Sequence, residues 1–415
     1  MRKASFNPVI YEDFLQIYIK GFEKSGRNHI TLKAFNGSLF LKPFFMLRHL
    51  LAFLIKSISN KRPSIAGKLG YYAISQNTLT ALRFLSQEKD SVLIYSSAKL
   101  KTPDTLKRHL PFKWKYSLNY FGVLYHFVKT KPSFALNYFD LIFYATGYFE
   151  YFSSILSKER PHMMVFSNDH NYDSRALLMA CTKLNIKTVY IQHASVTNEF
   201  PSLSFDLNLL EGEDSLSKYK QCGSITGETH LIGMPKFDPY FKYIKPVIRN
   251  IKSIGLAFNT FDNLEIVRSI LSYLTNQTDF QITVRPHPQE SRNLDLILNI
   301  NNLQVSGKNE TAFDFIAKQD VLISGNSSIL LEGVLLNIIP FYYSLNPEIN
   351  DYYGFVKNKL AEHLSSIESI NNLLNRYSDH INVRGRAKFY NATIEDEYDG
   401  KSELLALELI EQSIK

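Results

Sequence analysis

The chain has 415 residues, 45% of them hydrophobic and 21% charged, with 30 Phe and 25 Tyr. This composition excludes a disordered or collagen-like chain, and the length exceeds one ordinary core, so two domains are expected. A net charge of +8 and a pI of about 9.1 favour an anionic partner. The lysines are scattered and no nucleic-acid-binding signature occurs, which ranks nucleic acid below anionic lipid or a phosphorylated or acidic substrate.

The N-terminus, MRKASFNPVIYEDF, lacks the apolar core of a signal peptide. No uncharged apolar stretch reaches the roughly 18 residues of a spanning helix, and the two cysteines, Cys181 and Cys222, require no oxidising compartment. A cytoplasmic protein is expected. Cys181 lies in an apolar helical run and reads as a small core residue.

Residues 5–24 read as a helix starting near Asn7-Pro8. In 39–63 the apolar residues Phe44, Phe45, Leu47, Leu50, Leu51, Phe53 and Leu54 are interrupted by Lys42, Arg48, His49, Lys56, Lys61 and Arg62. A basic amphipathic helix of this type can lie on an anionic membrane surface. A helix packed on a core with its lysines in solvent explains the pattern equally well. Residues 67–85 read as a helix of mixed character and 91–96 as a short buried strand. Residues 99–115, dense in Lys and Arg and carrying His109 and Trp114, read as a loop of solvated cations able to receive an anionic acceptor. Residues 116–156 are aromatic-rich and read as helical.

From Arg160 the pattern sharpens. The apolar run PHMMVF ends in Ser167, Asn168, Asp169 and His170, a helix follows with Asp173 or Ser174 near its start, and KTVYI ends in Gln192, His193 and Ala194. This is a β-α-β unit, whose strands should be parallel and whose crossover should be right-handed. Both strand ends deliver titratable residues to one sheet edge. Glu211, Glu213 and Asp214 offer a third acidic group, which a solvated helix start also explains. The turn Gly233-Met234-Pro235 closes this half, and 244–252 reads as a linker.

The second half begins afresh. A strand 254–258 ends at Asn259-Thr260, a helix runs from about 263 to 274, and the strand of QITVRPHP follows. Next come a helix near 294–300, a strand 303–306, a helix 312–317 and the strand-loop-helix DVLISGNSSILLEGVLL. Residues 348–360 read as a polar, aromatic loop, and 361–376 and 402–414 as helices. Strands alternate with helices throughout, so both halves read as doubly wound α/β domains. We assign 1–243 to the first domain, 253–395 to the second and 396–415 to a helix packing back on the fold.

Two strand-end loops dominate the second half. Arg285 and His287 can each meet an anion, and the flanking Pro286 and Pro288 stiffen the loop and remove two N–H donors. Ser324, Gly325, Asn326, Ser327 and Ser328 precede a helix, where exposed N–H groups and the macrodipole favour phosphate. The same residues also make good turns and caps. Glu332, one turn further on, can reach a sugar hydroxyl.

Two Rossmann-like halves, a QH-containing strand end, RPHP, and S-x-N-S-S-x-x-x-E followed by a Pro-aromatic strand together resemble the GT-B glycosyltransferases of bacterial surface-polysaccharide synthesis. The nearest likeness is to transferases of CMP-activated ulosonic acids (Kdo or sialic-acid-like sugars) in capsule and lipopolysaccharide synthesis. The CDP-glycerol glycerophosphotransferases share the same logic. The resemblance covers roughly 160–360 and leaves the first 150 residues largely unmatched. It implies an α/β GT-B fold, with two doubly wound domains facing across a cleft. It also implies a nucleotide-sugar donor, a CMP-sugar being favoured, a glycan or glycolipid acceptor, and transfer requiring no cofactor and no metal. His287 with Pro288 and Arg285 would meet the donor phosphate. Ser324, Asn326, Ser327 and Ser328 would hold it, Glu332 would bind ribose, and Asn259 and Thr260 would flank the nucleotide.

Glycosyl transfer also needs a base for the acceptor hydroxyl or a carboxylate nucleophile. Asp169 and His193, at neighbouring strand ends, are the catalytic candidates. Asp169 reads as base, nucleophile or helix cap. His193 matches the histidine of the QH motif, although Ala194 stands where glycine is usual. The alternatives are a CDP-alditol phosphotransferase, a nucleotide-sugar epimerase, or a non-catalytic nucleotide- or glycan-binding protein of the same fold.

Overall fold

A computed structural model describes residues 6–55, 63–96, 100–101, 106–246, 251–307, 309–375, 377 and 382–414. The chain divides into a first unit (Met1–Leu210, Leu216–His230, Ala406–Lys415) and a second unit (Glu211–Ser215, Leu231–Leu405).

The first unit opens with helices α1 (Ile10–Ser25) and α2 (Lys42–Ile55). Strand β1 (Leu69–Ala73), helix α3 (Gln76–Ala81), and strands β2 (Ser91–Tyr95) and β3 (Lys107–His109) follow. Then come α4 (Tyr120–Thr130), α5 (Pro132–Leu156), β4 (Met163–Phe166), α6 (Tyr172–Lys183), β5 (Lys187–Ile191), β6 (Leu207–Leu210), α7 (Glu213–Cys222), whose first three residues group with the second unit, and β7 (Glu228–Leu231), whose last residue does. The sheet order is β3-β2-β1-β4-β5-β6-β7, and the pairs from β3 through β6 are parallel. The central strands are apolar without alternation because both faces are covered, as in Met163–Phe166, buried at every residue.

Three expectations for this unit are corrected. Residues 67–85 are not one helix, because β1 lies between β2 and β4, and its gapless apolar run matches a buried helix as well as a buried strand. Gly70 is needed there, since a Cβ would stand 2.4 Å from Met164 Sδ. The basic stretch is not all solvated. Arg108, 6% exposed, donates to both carboxylate oxygens of Glu159 at 2.8 Å, and the His109 ring stacks on Tyr95 at 4.8 Å. Lys42 is likewise no surface cation, being 4% exposed and paired with Asp140 at 2.8 Å. Lys56, Lys61 and Arg62 lie outside the described residues. Among the described residues no helix is long and apolar enough to cross a membrane. Cys181 is fully buried, and burial raises its thiol.

The second unit holds β8 (Ser253–Phe258), α8 (Leu264–Gln277), β9 (Gln281–Pro286), α9 (Asp295–Leu298), β10 (Leu303–Val305) and α10 (Ala312–Ile316). It continues with β11 (Val321–Ser324), α11 (Ile329–Leu335), β12 (Ile339–Tyr342), β13 (Glu362–His363) and α12 (Ile370–Asn375). Its sheet, ordered β10-β9-β8-β11-β12-β13, is parallel throughout. The side chains of Asn263 and Thr311 cap α8 and α10. The expected helix 361–376 begins instead as β13, with Tyr342 paired to His363, and becomes helical only from Ile367, first as a 3-10 turn and then as α12. A two-residue strand is too short to show a period. Residues 231–243 join the second unit because Met234 and Phe237 enter its core and Tyr240 stacks on Phe313 at 4.0 Å. The last helix, α13 (Ser402–Ile414), ends in residues grouped with the first unit.

Candidate functional site

In the second sheet the strand order reverses between β8 and β11. Ligands of open parallel sheets bind outside the strand carboxyl ends at such a switch point. Register aligns those ends: Ala257 of β8 pairs with both Arg285 of β9 and Ser324 of β11. The residues just beyond, Asn259-Thr260, His287-Pro288 and Gly325 to Ser328, therefore emerge along one edge. With strands roughly 4.8 Å apart, the outer two loops stand about 10 Å from each other.

Asn259 ties these loops together. Its Nδ2 donates to the Asn326 carbonyl at 3.2 Å, its amide donates to Asp262 Oδ2 at 2.8 Å, and its carbonyl accepts from Arg292 Nη2 at 3.0 Å. Arg292 also donates to the Asp262 carbonyl at 2.7 Å and forks onto Glu290 at 2.9 and 2.6 Å. Its hydrogen bonds hold the Glu290 carboxyl down at about 2. This Glu290–Arg292 clamp was not foreseen in the sequence. The signal was an acid and a base two residues apart directly after RPHP.

His287 is exposed, and its Nδ1 accepts from the Gln289 amide at 3.1 Å, so the neutral ring keeps its proton on Nε2. Pro288 is exposed, and Thr260, Ser327 and Ser328 are part-exposed. Ser327 Oγ accepts from the Ile329 amide at 3.4 Å, whereas the Ser328 side chain makes no capping bond. Three expected phosphate ligands turn inward. Arg285 is 8% exposed and donates to Ser306 Oγ at 2.6 Å and the Glu310 carbonyl at 3.0 Å, its guanidinium 5.5 Å from the Phe315 ring. Ser324 is fully buried and donates to the Ala257 carbonyl at 2.7 Å. Asn326 donates to the Ile349 carbonyl at 2.7 Å and accepts from the Tyr352 amide at 2.8 Å, fixing the aromatic loop after β12.

Glu332 belongs to an ionised group within the same unit. Burial pushes its carboxyl up, and Lys236 and Arg285 pull it back. Glu211, 3% exposed, is pushed by burial to about 7, with Lys236 opposing and Glu332 and Asp214 adding to the rise. Glu211 and Asp214 are thus buried, not the solvated helix start the sequence allowed. Lys236 was missed, because nothing in Met-Pro-Lys-Phe indicates that it faces two glutamates. Carboxylates sharing one lysine can hold and release a proton near neutral pH.

In the first unit Asp169 and His193 follow neighbouring strands whose residues Phe166 and Tyr190 are paired. Asp169 is 1% exposed. Its Oδ2 accepts from the Tyr219 hydroxyl at 3.1 Å, which lies 2.8 Å from that of Tyr190, and its Oδ1 is 3.1 Å from His170 Nδ1. It does not cap α6; Asn168 Oδ1 organises that turn, accepting from Asn171 N and Ser174 Oγ. The carboxylate faces an imidazole in the manner of a base-orienting acid, a role for His170 that the sequence did not single out. His193 is part-exposed.

No family model matches the chain, and no curated protein matches it. Solved structures do. The UDP-GlcNAc 2-epimerase of Neisseria meningitidis bound to UDP-GlcNAc is similar with a TM-score of 0.53 at 12% identity, over 83% of this chain and 100% of its own. The calicheamicin glycosyltransferase CalG4 is similar at 0.53 and 11%, over 83% and 97%. The fold is GT-B. The wall teichoic acid polymerase TagF, soaked with CDPG, shares the GT-B fold at 0.51 and 12%, over 91% and 97%. At such identities the shared property is the fold alone.

Proposed function

We propose that the protein is a glycosyltransferase that moves a CMP-activated acidic sugar, of the Kdo or sialic-acid type, onto a bacterial surface glycan or glycolipid. The observation that carries this reading is the switch-point edge of the second sheet, where His287, Ser327, Ser328 and Thr260 stand clear of the ladder on loops clamped by Asn259 and Arg292. His287 Nε2–H and the serine hydroxyls suit a phosphate, and Glu332 suits a ribose. Arg285, Ser324 and Asn326 support the loops from beneath. In the first unit His193 is the group assigned to take the acceptor proton, and Asp169 acts through His170. The reading requires no metal, so turnover should survive chelation by EDTA.

A thermal-shift screen against CMP, CDP, UDP and GDP tests the donor class. Preferential stabilisation by CMP supports it, and a response confined to UDP or GDP overturns it. A CDP-alditol phosphotransferase is the second reading, favoured by the similarity to a polymerase soaked with CDPG. Phosphorus in the isolated product distinguishes it from a glycosyltransferase, while sugar rearrangement without any acceptor would mark an epimerase. We also assign the protein a peripheral contact with the inner face of an anionic membrane. Around α2, Phe40 is 93% and Phe44 63% exposed, and Arg48 is exposed beside them; aromatic and basic groups on one helix suit such a surface.

A further inference from the structure

The first unit contains a cavity of about 230 Å³ between α1, the segment 198–202 and the first turn of α6. Its charged lining is Lys20, Lys24, His29, Arg175 and Glu199. Lys24 is paired with Glu199, which leaves the balance positive. Arg175 is the unusual member. Among the described residues its Nε and Nη1 have no hydrogen-bond partner, and both are shut off from solvent. Burial lowers the guanidinium from its ordinary value, opposed by Asp169 and Tyr18. Neither is hydrogen-bonded to those two nitrogens: Asp169 Oδ2 accepts from Tyr219 and its Oδ1 faces His170, and the Tyr18 hydroxyl donates to the His170 carbonyl at 2.9 Å. Buried donors left without acceptors are costly, and a cation kept in that condition beside a cavity is suited to an anion that completes its bonds.

The neighbours fit the same chemistry. His29 is 7% exposed, and its Nδ1 is engaged by Thr31 Oγ1 at 2.8 Å and the Thr31 amide at 3.4 Å, so the neutral ring offers Nε2–H. Gly21 makes room for that ring, because a Cβ would stand 2.4 Å from His29 Nδ1. Lys20 is exposed and adds a mobile cation at the cavity.

We propose that this cavity binds an oxyanion, phosphate or carboxylate, carried by the acceptor, with Arg175 as its principal ligand and His29 and Lys20 beside it. The acceptor assignment rests on the transferase reading; the anion site does not. The test is calorimetric titration of the full chain, saturated with CMP to occupy the nucleotide loops, with inorganic phosphate, a hexose phosphate, a hexuronate and an uncharged hexose. The three anions separate a free phosphate from a carrier-borne phosphate or carboxylate. Wild type should bind at least one carrier-borne anion more tightly than the uncharged hexose. Arg175→Met should lower that affinity at least tenfold while leaving the ligand-free protein as stable as wild type, and Lys20→Gln should weaken it a few-fold. Binding of none of the anions, or affinity unchanged in both variants, overturns the site. So does an Arg175→Met protein that unfolds early while Lys20→Gln binds normally, for then the arginine is structural. Stabilisation by CMP without anion binding sinks this site and spares the transferase reading. Anion binding without any sugar transfer keeps the site and sinks the acceptor assignment.

Discussion

Replacing Glu211 by Gln should change how stability depends on pH, and the size of the change follows from its surroundings. The side chain is 3% exposed, and burial pushes its carboxyl from 4.5 to about 7, against Lys236 and with Glu332 and Asp214. The folded value lies above the unfolded one, so the native state holds this proton longer. The resulting stabilisation is whole below about pH 4.5 and is lost as pH rises through about 7. At 1.36 kcal/mol for each pH unit, the loss is about 3 kcal/mol. Glutamine keeps the shape and carries no charge at any pH, so the variant should escape it. The assay is urea unfolding at pH 5 and pH 8, followed by circular dichroism and by the fluorescence of Trp114, the only tryptophan. Trp114 lies in the first unit and acts as the control. From pH 5 to pH 8 wild type should lose about 2.5 kcal/mol more than Glu211→Gln in the transition of the second unit, part of the loss being complete by pH 5, with the Trp114 transition equal in both. The same pH slope in the two proteins, or a difference confined to Trp114, would refute the burial argument.

His287→Ala should weaken CMP and CDP binding by about 1–3 kcal/mol, the cost of leaving a phosphate oxygen without its donor, and calorimetry showing equal affinity would remove His287 from the site. Asp169→Asn should leave CMP affinity unchanged and slow transfer at least tenfold, because an amide no longer accepts the His170 proton in the same way. If the variant unfolds instead, the contacts with Tyr219 and His170 are there for the fold. Phe44→Glu should abolish co-sedimentation with vesicles rich in anionic lipid, and a wild-type protein that never sediments with them would end the membrane assignment.

The two doubly wound domains were legible because β8, β9 and β11 are short apolar runs that end sharply in polar residues, and helices with clear caps such as Asn263 and Thr311 follow. Strand β1 was not legible. Leu-Gly-Tyr-Tyr-Ala is buried on both faces between β2 and β4, which erases the period that would mark it as a strand. The edge bearing His287 and Ser327 could be read from local chemistry. The ionised group of Glu211, Lys236 and Glu332 could not, since its members are far apart in sequence and meet only through the fold. Arg108 and Lys42 show the reverse error: a basic residue reads as solvated until its partner, Glu159 or Asp140, is known.

Position relative to the end of the ladder separates the polar residues that build the strand-end loops from those that present themselves to solvent. Arg285 and Ser324 are still paired with Ala257, and both spend their hydrogen bonds inward. His287, Thr260, Ser327 and Ser328 lie beyond the last pair and are exposed or part-exposed. Two serines four residues apart should therefore respond in opposite ways. Ser324→Ala removes a fully buried 2.7 Å hydrogen bond and should cost about 1 kcal/mol of stability, with nucleotide affinity preserved in whatever remains folded. Ser328→Ala removes a hydroxyl that caps nothing, so stability should stay within about 0.5 kcal/mol of wild type, and CMP affinity should fall by about tenfold, the worth of one hydrogen bond to a charged group. Denaturation and calorimetry on the same two proteins decide the matter. If Ser328→Ala loses stability and keeps affinity, the loop after β11 is a turn and nothing more, and the donor must be held elsewhere.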